Sequence, residues 1–63
     1  MIELTLPTMT CGHCVKTVTE TVRRLDAQAQ VSTDLATHQV RIESTVPRET
    51  LARALAEEGY EPA

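Results

Sequence analysis

This sequence predicts a small α+β domain, an antiparallel sheet covered on one face by two helices. Three observations carry that expectation. Apolar and polar residues alternate with period two in three short stretches. Apolar residues step by three and four in two others. The stretches follow one another in the order β-α-β-β-α.

The run Ile2-Glu3-Leu4-Thr5-Leu6 alternates as a half-buried strand does, and Pro7 ends it. Thr8 to His13 form a loop. Val15, Val18, Val22 and Leu25 then recur at helical spacing, with Lys16, Glu20, Arg23 and Arg24 off the stripe. Thr17, Thr19 and Thr21 favour a strand by propensity. The spacing of the apolar residues decides for a helix. Ala29, Val31, Thr33 and Leu35 alternate with Gln28, Gln30, Ser32 and Asp34, giving a second strand. Ala36 to His38 is a turn, and His38 suits a position of positive φ. Val40 and Ile42 alternate with Gln39, Arg41 and Glu43, so a third strand closes a hairpin.

Pro47 opens the second helix, whose buried stripe is Leu51, Ala54 and Leu55. Gly59 fits the left-handed residue just past its end, with Tyr60 folding back on Leu55. Only Glu61, Pro62 and Ala63 remain for a last strand, and Pro62 cannot donate to a ladder. The expected architecture is a ferredoxin-like βαββαβ sandwich with both helices on one face and a short or rudimentary last strand. The first strand is then partly an open edge.

At 63 residues the chain is expected to be one domain, residues 1–63. Six Lys and Arg against nine Asp and Glu leave a net charge of −3, which argues against nucleic acid as a partner. Tyr60 is the only aromatic residue, so the core must come from Val, Leu, Ile, Ala and Met. The chain is too small for a composite active site with its own substrate cavity, and no enzyme is expected. Its longest apolar run, Ala54-Leu55-Ala56, is far short of the ~20 residues a membrane span needs. Met-Ile-Glu-Leu-Thr-Leu is no secretory leader, so a cytoplasmic, free-standing protein is expected. A reducing compartment argues against a structural disulfide.

The two cysteines therefore ask for a chemical explanation. Cys11-Gly12-His13-Cys14 places both thiols at the mouth of the first helix, where backbone N–H groups and the helix dipole favour thiolate. Three uses compete. Cu(I) is soft, accepts thiolates and tolerates low coordination numbers, so two sulfurs satisfy it and leave it open to a third. Structural zinc fits less well, because it asks for four ligands and here there is one pair, with His13 adjacent and His38 distant. Thiol–disulfide exchange is the second use, since Cys-Gly-His-Cys also resembles the motif of protein disulfide isomerases. Thr10 stands where that motif has an aromatic residue, however, and the order of elements differs. The third is that both are small buried hydrophobes, which a Gly-His pair in a loop after proline disfavours.

Met9-Thr10-Cys11-Gly12-His13-Cys14 after the first strand, Asp34-Leu35-Ala36-Thr37 leading into the hairpin, and Glu58-Gly59-Tyr60 closing the second helix resemble the heavy-metal-associated domain family. Within it they are most similar to bacterial soluble copper chaperones, which hand Cu(I) to copper-transporting P-type ATPases. The match runs over essentially the whole chain. The resemblance implies that Cys11 and Cys14 bind Cu(I), that Met9 packs beneath the loop as a core residue, and that Tyr60 lies near the site. Zinc-transporting relatives carry Asp where Thr10 stands, which favours copper. Mercury-binding relatives are normally exported. The implied partner is a copper-transporting P-type ATPase with its metal-binding domains, and the implied state a monomer, with a copper-bridged homodimer as a second form. Relatives often have Gly where this chain has His38. His13 is expected to be solvated or to tune the thiols; a ligand role belongs to the metal-bridged dimer. Glu57, Glu58 and Glu61 form an acidic end suited to steering a complementary partner. The competing readings are a carrier of zinc or another thiophilic metal, a module excised from a larger transporter, and a thiol-disulfide oxidoreductase.

Overall fold

The computed structural model describes all 63 residues. Its elements are β1 (Ile2–Thr5), α1 (Gly12–Leu25), β2 (Gln30–Asp34), β3 (Gln39–Glu43) and α2 (Arg48–Glu57). β3 lies between β1 and β2 and is antiparallel to both, so the sheet order is β1-β3-β2. Register follows the alternation. Leu4 lies opposite Val40 and Ile2 opposite Ile42, while Glu3 faces Arg41 on the outer face and pairs with it at 2.9 Å.

Ten buried apolar residues form one core: Leu4 and Leu6, Met9, Val18 and Val22 of α1, Ala29, Val40 and Ile42 of β3, and Leu51 and Leu55 of α2. The three α1 threonines that argue for a strand are reconciled with the helix by their hydroxyls. Thr17 donates to the His13 carbonyl at 3.2 Å, Thr19 to Val15 at 2.8 Å and Thr21 to Thr17 at 2.8 Å. Thr21 thereby enters the core at 4% exposure with its polar atom satisfied.

Three boundaries differ from the sequence expectation. Leu25 is not in the buried stripe: as the last residue of α1 it sits at the rim of the groove between the helices, beside Ala54 and Glu57, and stays 42% exposed. Leu35 leaves β2 because the Asp34 carboxylate accepts the Ala36 N–H at 3.0 Å, starting the turn one residue early and leaving Leu35 38% exposed. Ala29 is buried but precedes β2, since Asp26 caps Gln28 at 3.0 Å and closes a turn there.

α2 ends in a Schellman motif. Gly59 adopts φ 91°, its N–H reaches the Ala56 carbonyl at 3.0 Å, and the Tyr60 N–H reaches Leu55 at 2.8 Å. Residues 60–63 form no regular strand. A single bond from the Ala63 N–H to the Thr5 carbonyl, 2.9 Å, lays the tail along β1, the rudiment expected of a fourth strand. No helix is long and apolar enough to cross a membrane.

Candidate metal centre

Cys11 sits at the N-cap of α1 with extended backbone, φ −149° and ψ 170°, and its side chain makes no capping bond. The first helical bond runs from the Val15 N–H to the Cys11 carbonyl at 3.2 Å. The N–H groups of Gly12, His13 and Cys14 therefore have no backbone partner, and the first turn carries no acidic residue. Positive partial charge is thus concentrated where the thiols stand.

One helical turn separates the cysteines, and their sulfurs lie 3.3 Å apart. Cys11 is exposed and Cys14 half-buried; both are free thiols. No further His, Cys, Asp or Glu joins them in a cluster of three or more. The Cys14 sulfur is also 4.0 Å from the Thr8 carbonyl. The Cys14 pKa is lowered from 9.0 to about 7, first by hydrogen bonding from the Tyr60 hydroxyl, then by the Thr10 backbone N–H and the Cys11 side chain, against a smaller opposing effect of burial. The largest single contribution thus comes from a side chain 46 positions on in sequence, with the backbone and Cys11 at the helix mouth adding to it. The same contact raises the Tyr60 pKa, because the phenol must keep its proton to donate.

The remaining residues singled out by sequence fall as follows. Met9 is fully buried in the core beneath the loop. Tyr60 is half-buried and packs against the core. His13 is exposed on the turn between the cysteines. In the acidic end, Glu58 is engaged by Arg24 at 3.1 Å, whereas Glu57 and Glu61 are exposed.

Two residues that sequence reasoning left out of the site hold its loop. Thr8 donates its hydroxyl to the Gly59 carbonyl at 3.2 Å, tying the cysteine loop to the segment that carries Tyr60. His38, read from sequence as a turn residue with positive φ, has φ 60°, and its ring Nδ1 lies 3.0 Å from the Met9 carbonyl. Partners 51 and 29 residues apart leave no local signal; only the positive-φ demand at residue 38 hints at anything unusual there.

The fold and the exposed dithiol at a helix mouth define a class of small soft-metal-binding domains. The heavy-metal-associated domain model matches residues 3–61, and the chain belongs to that family. It is 31% identical over 62 residues to the COP-associated protein of Helicobacter felis, covering 95% of this chain and 94% of that protein. Among solved structures it is similar to the copper chaperone Atx1 from Synechocystis PCC6803, in a trimeric Cu1 form of a His61Tyr mutant, with 43% identity, a TM-score of 0.97 and full coverage of both chains. A gold-binding protein is also similar, at 40% identity and a TM-score of 0.94 over 98% of this chain and 95% of that one.

Proposed function

We propose that this protein is a cytoplasmic copper chaperone that carries one Cu(I) on Cys11 and Cys14 and delivers it to a copper-transporting P-type ATPase. The observation that carries the reading is the pair of sulfurs 3.3 Å apart, free and accessible, with no third His, Cys, Asp or Glu clustered beside them. Cu(I) is satisfied by two thiolates; a divalent ion that seeks four ligands is not. Similarity to a copper chaperone over the full chain supports the same choice of metal.

Transfer proceeds by ligand exchange. An incoming thiolate of the partner's own cysteine pair forms a third Cu–S bond. One chaperone Cu–S bond then breaks, and the released thiolate takes up a proton or stays ionised according to its pKa. A second exchange moves the ion completely, with no oxidation or reduction of copper or sulfur. Cys11 is the more accessible sulfur and the natural point of first encounter.

Anaerobic competition for Cu(I) against a chelator tests the reading. Cys11→Ser and Cys14→Ser should each abolish tight binding, and X-ray absorption on the loaded parent should report sulfur ligation only. Tight binding by either variant, or a first shell dominated by nitrogen or oxygen, overturns it. Catalysed disulfide exchange in metal-free buffer, without Cu(I) binding, favours the oxidoreductase reading instead.

A further inference from the structure

We propose that His38 is a positioning residue for the metal loop: its imidazole, docked on the Met9 carbonyl, holds the backbone that presents Cys11 to Cys14. The metal readout rests on the copper reading above; a second readout does not.

Residue 38 grips the loop twice. Its carbonyl accepts the Leu6 N–H at 2.7 Å, and its ring Nδ1 lies 3.0 Å from the Met9 carbonyl. A carbonyl can only accept, so Nδ1 carries the proton and donates. Between these two points the chain closes on itself through the Met9 N–H and the Leu6 carbonyl at 3.0 Å, and the Met9 side chain is wholly buried. The loop is therefore pinned on both sides of Met9, two residues before Cys11.

Beyond Met9 the backbone has little other support. Thr10 and Cys11 are exposed, and the Cys11 side chain makes no capping bond. The cysteine approach of 3.3 Å depends on where that short stretch leaves the core. The conformation of residue 38 matters as well. At φ 60° the backbone suits Gly or Asn and strains most other residues. A glycine there meets the backbone demand and lacks the ring. This chain instead places a ring donor at the one turn position that reaches the loop. Asn is the conservative replacement, because it tolerates positive φ and its amide nitrogen is attached to Cγ, as Nδ1 is.

The experiment compares His38→Gly and His38→Asn with the parent. The first readout is Cu(I) affinity by anaerobic chelator competition. The second uses metal-free protein equilibrated with reduced and oxidised glutathione, in which two cysteine thiols and one glutathione disulfide give one protein disulfide and two glutathione thiols. Loosening the loop lowers the effective concentration of one sulfur at the other, so His38→Gly should reduce both equilibrium constants about two- to tenfold, the effect of one net hydrogen bond. Its thermal midpoint serves as the folding control. His38→Asn should restore both. Parental values for His38→Gly in both readouts overturn the proposal, as does a His38→Asn variant no better than His38→Gly. If the parent binds no Cu(I), the copper reading falls, and the glutathione equilibrium still decides the role of His38.

Discussion

Replacing Tyr60 by Phe isolates one oxygen atom and should raise the Cys14 pKa toward its ordinary value. The ring, which packs against the core, is kept; the hydroxyl that depresses the Cys14 pKa is removed. In the folded protein the thiol titrates at about 7 against 9.0 for the unperturbed group. At pH 7 about half of Cys14 is then thiolate, whereas a thiol of pKa 9 is about 1% ionised. Because Tyr60 is the largest single cause among several, Tyr60→Phe should move the titration part of the way back, while the Thr10 N–H and the Cys11 side chain retain the rest of the effect. The assay is the pH dependence of iodoacetamide alkylation in reduced, metal-free protein, with Cys14 resolved by peptide mass mapping. The inflection should rise above 7 and the rate at pH 7 should fall. An inflection that stays at about 7 in the variant refutes the assignment of the acidity to the phenol.

Further outcomes follow from the same structure. The Cys14 pKa is depressed on folding, so its contribution to stability is full above pH 9.0 and is lost as pH falls through about 7. The reduced, metal-free protein should therefore gain stability between pH 7 and 9 in urea unfolding, and Cys14→Ser should flatten that rise. The raised Tyr60 pKa acts in the opposite sense, holding its contribution below pH 10.0 and losing it above. Leu51→Ala removes a fully buried side chain and should cost about 2–5 kcal/mol, against roughly 3–9 kcal/mol in total for a chain of this size. Urea midpoints check it. Gly59→Ala forces a Cβ onto a residue at φ 91° and should cost about 1–2 kcal/mol. Gly12→Ala, whose Cβ meets nothing within 4 Å, should stay within about 0.5 kcal/mol of the parent.

The strands were legible because one face of the sheet is buried and the other wet. Period-two alternation fixes which residues point inward, and Leu4, Val40 and Ile42 do. The first helix was harder. Its threonines conflict with helical propensity, and the conflict is resolved by hydroxyl bonds to carbonyls four residues back, which propensity scales do not count. Leu25 and Leu35 misled because apolarity marks residues that can be buried; their exposure follows from where α1 and β2 end. At the candidate site the cysteine pair was plain in four consecutive residues. Its supports were not, because Thr8 with Gly59 and His38 with Met9 meet only after the sheet and α2 have assembled. The acidity of Cys14 was expected for a local reason, and its largest single cause is a tertiary one added to local backbone and Cys11 contributions.

An exposed dithiol at a helix mouth serves capture and release through the same features, on the reading of a Cu(I) carrier. Two thiolates and a monovalent cation sum to one negative charge. That anion sits against three N–H groups without backbone partners, in a first turn free of carboxylates. A divalent ion on the same sulfurs is neutral and gains less from this field. The field alone is a weak discriminator, since a helix terminus contributes about 0.3–1 kcal/mol at an exposed site, less than a factor of ten. Coordination number does more. A divalent soft ion asks for two further donors that the surrounding residues do not cluster to provide, while Cu(I) asks for none. What limits retention is equally local. The site is open on the Cys11 side, so a competing sulfur reaches the metal without the fold having to unfold or hinge. A partner with like ligands then needs no steep downhill step to take it. On the reading of a Cu(I) carrier, selectivity thus comes from the want of a third and fourth clustered donor, and the same want lets the cargo leave.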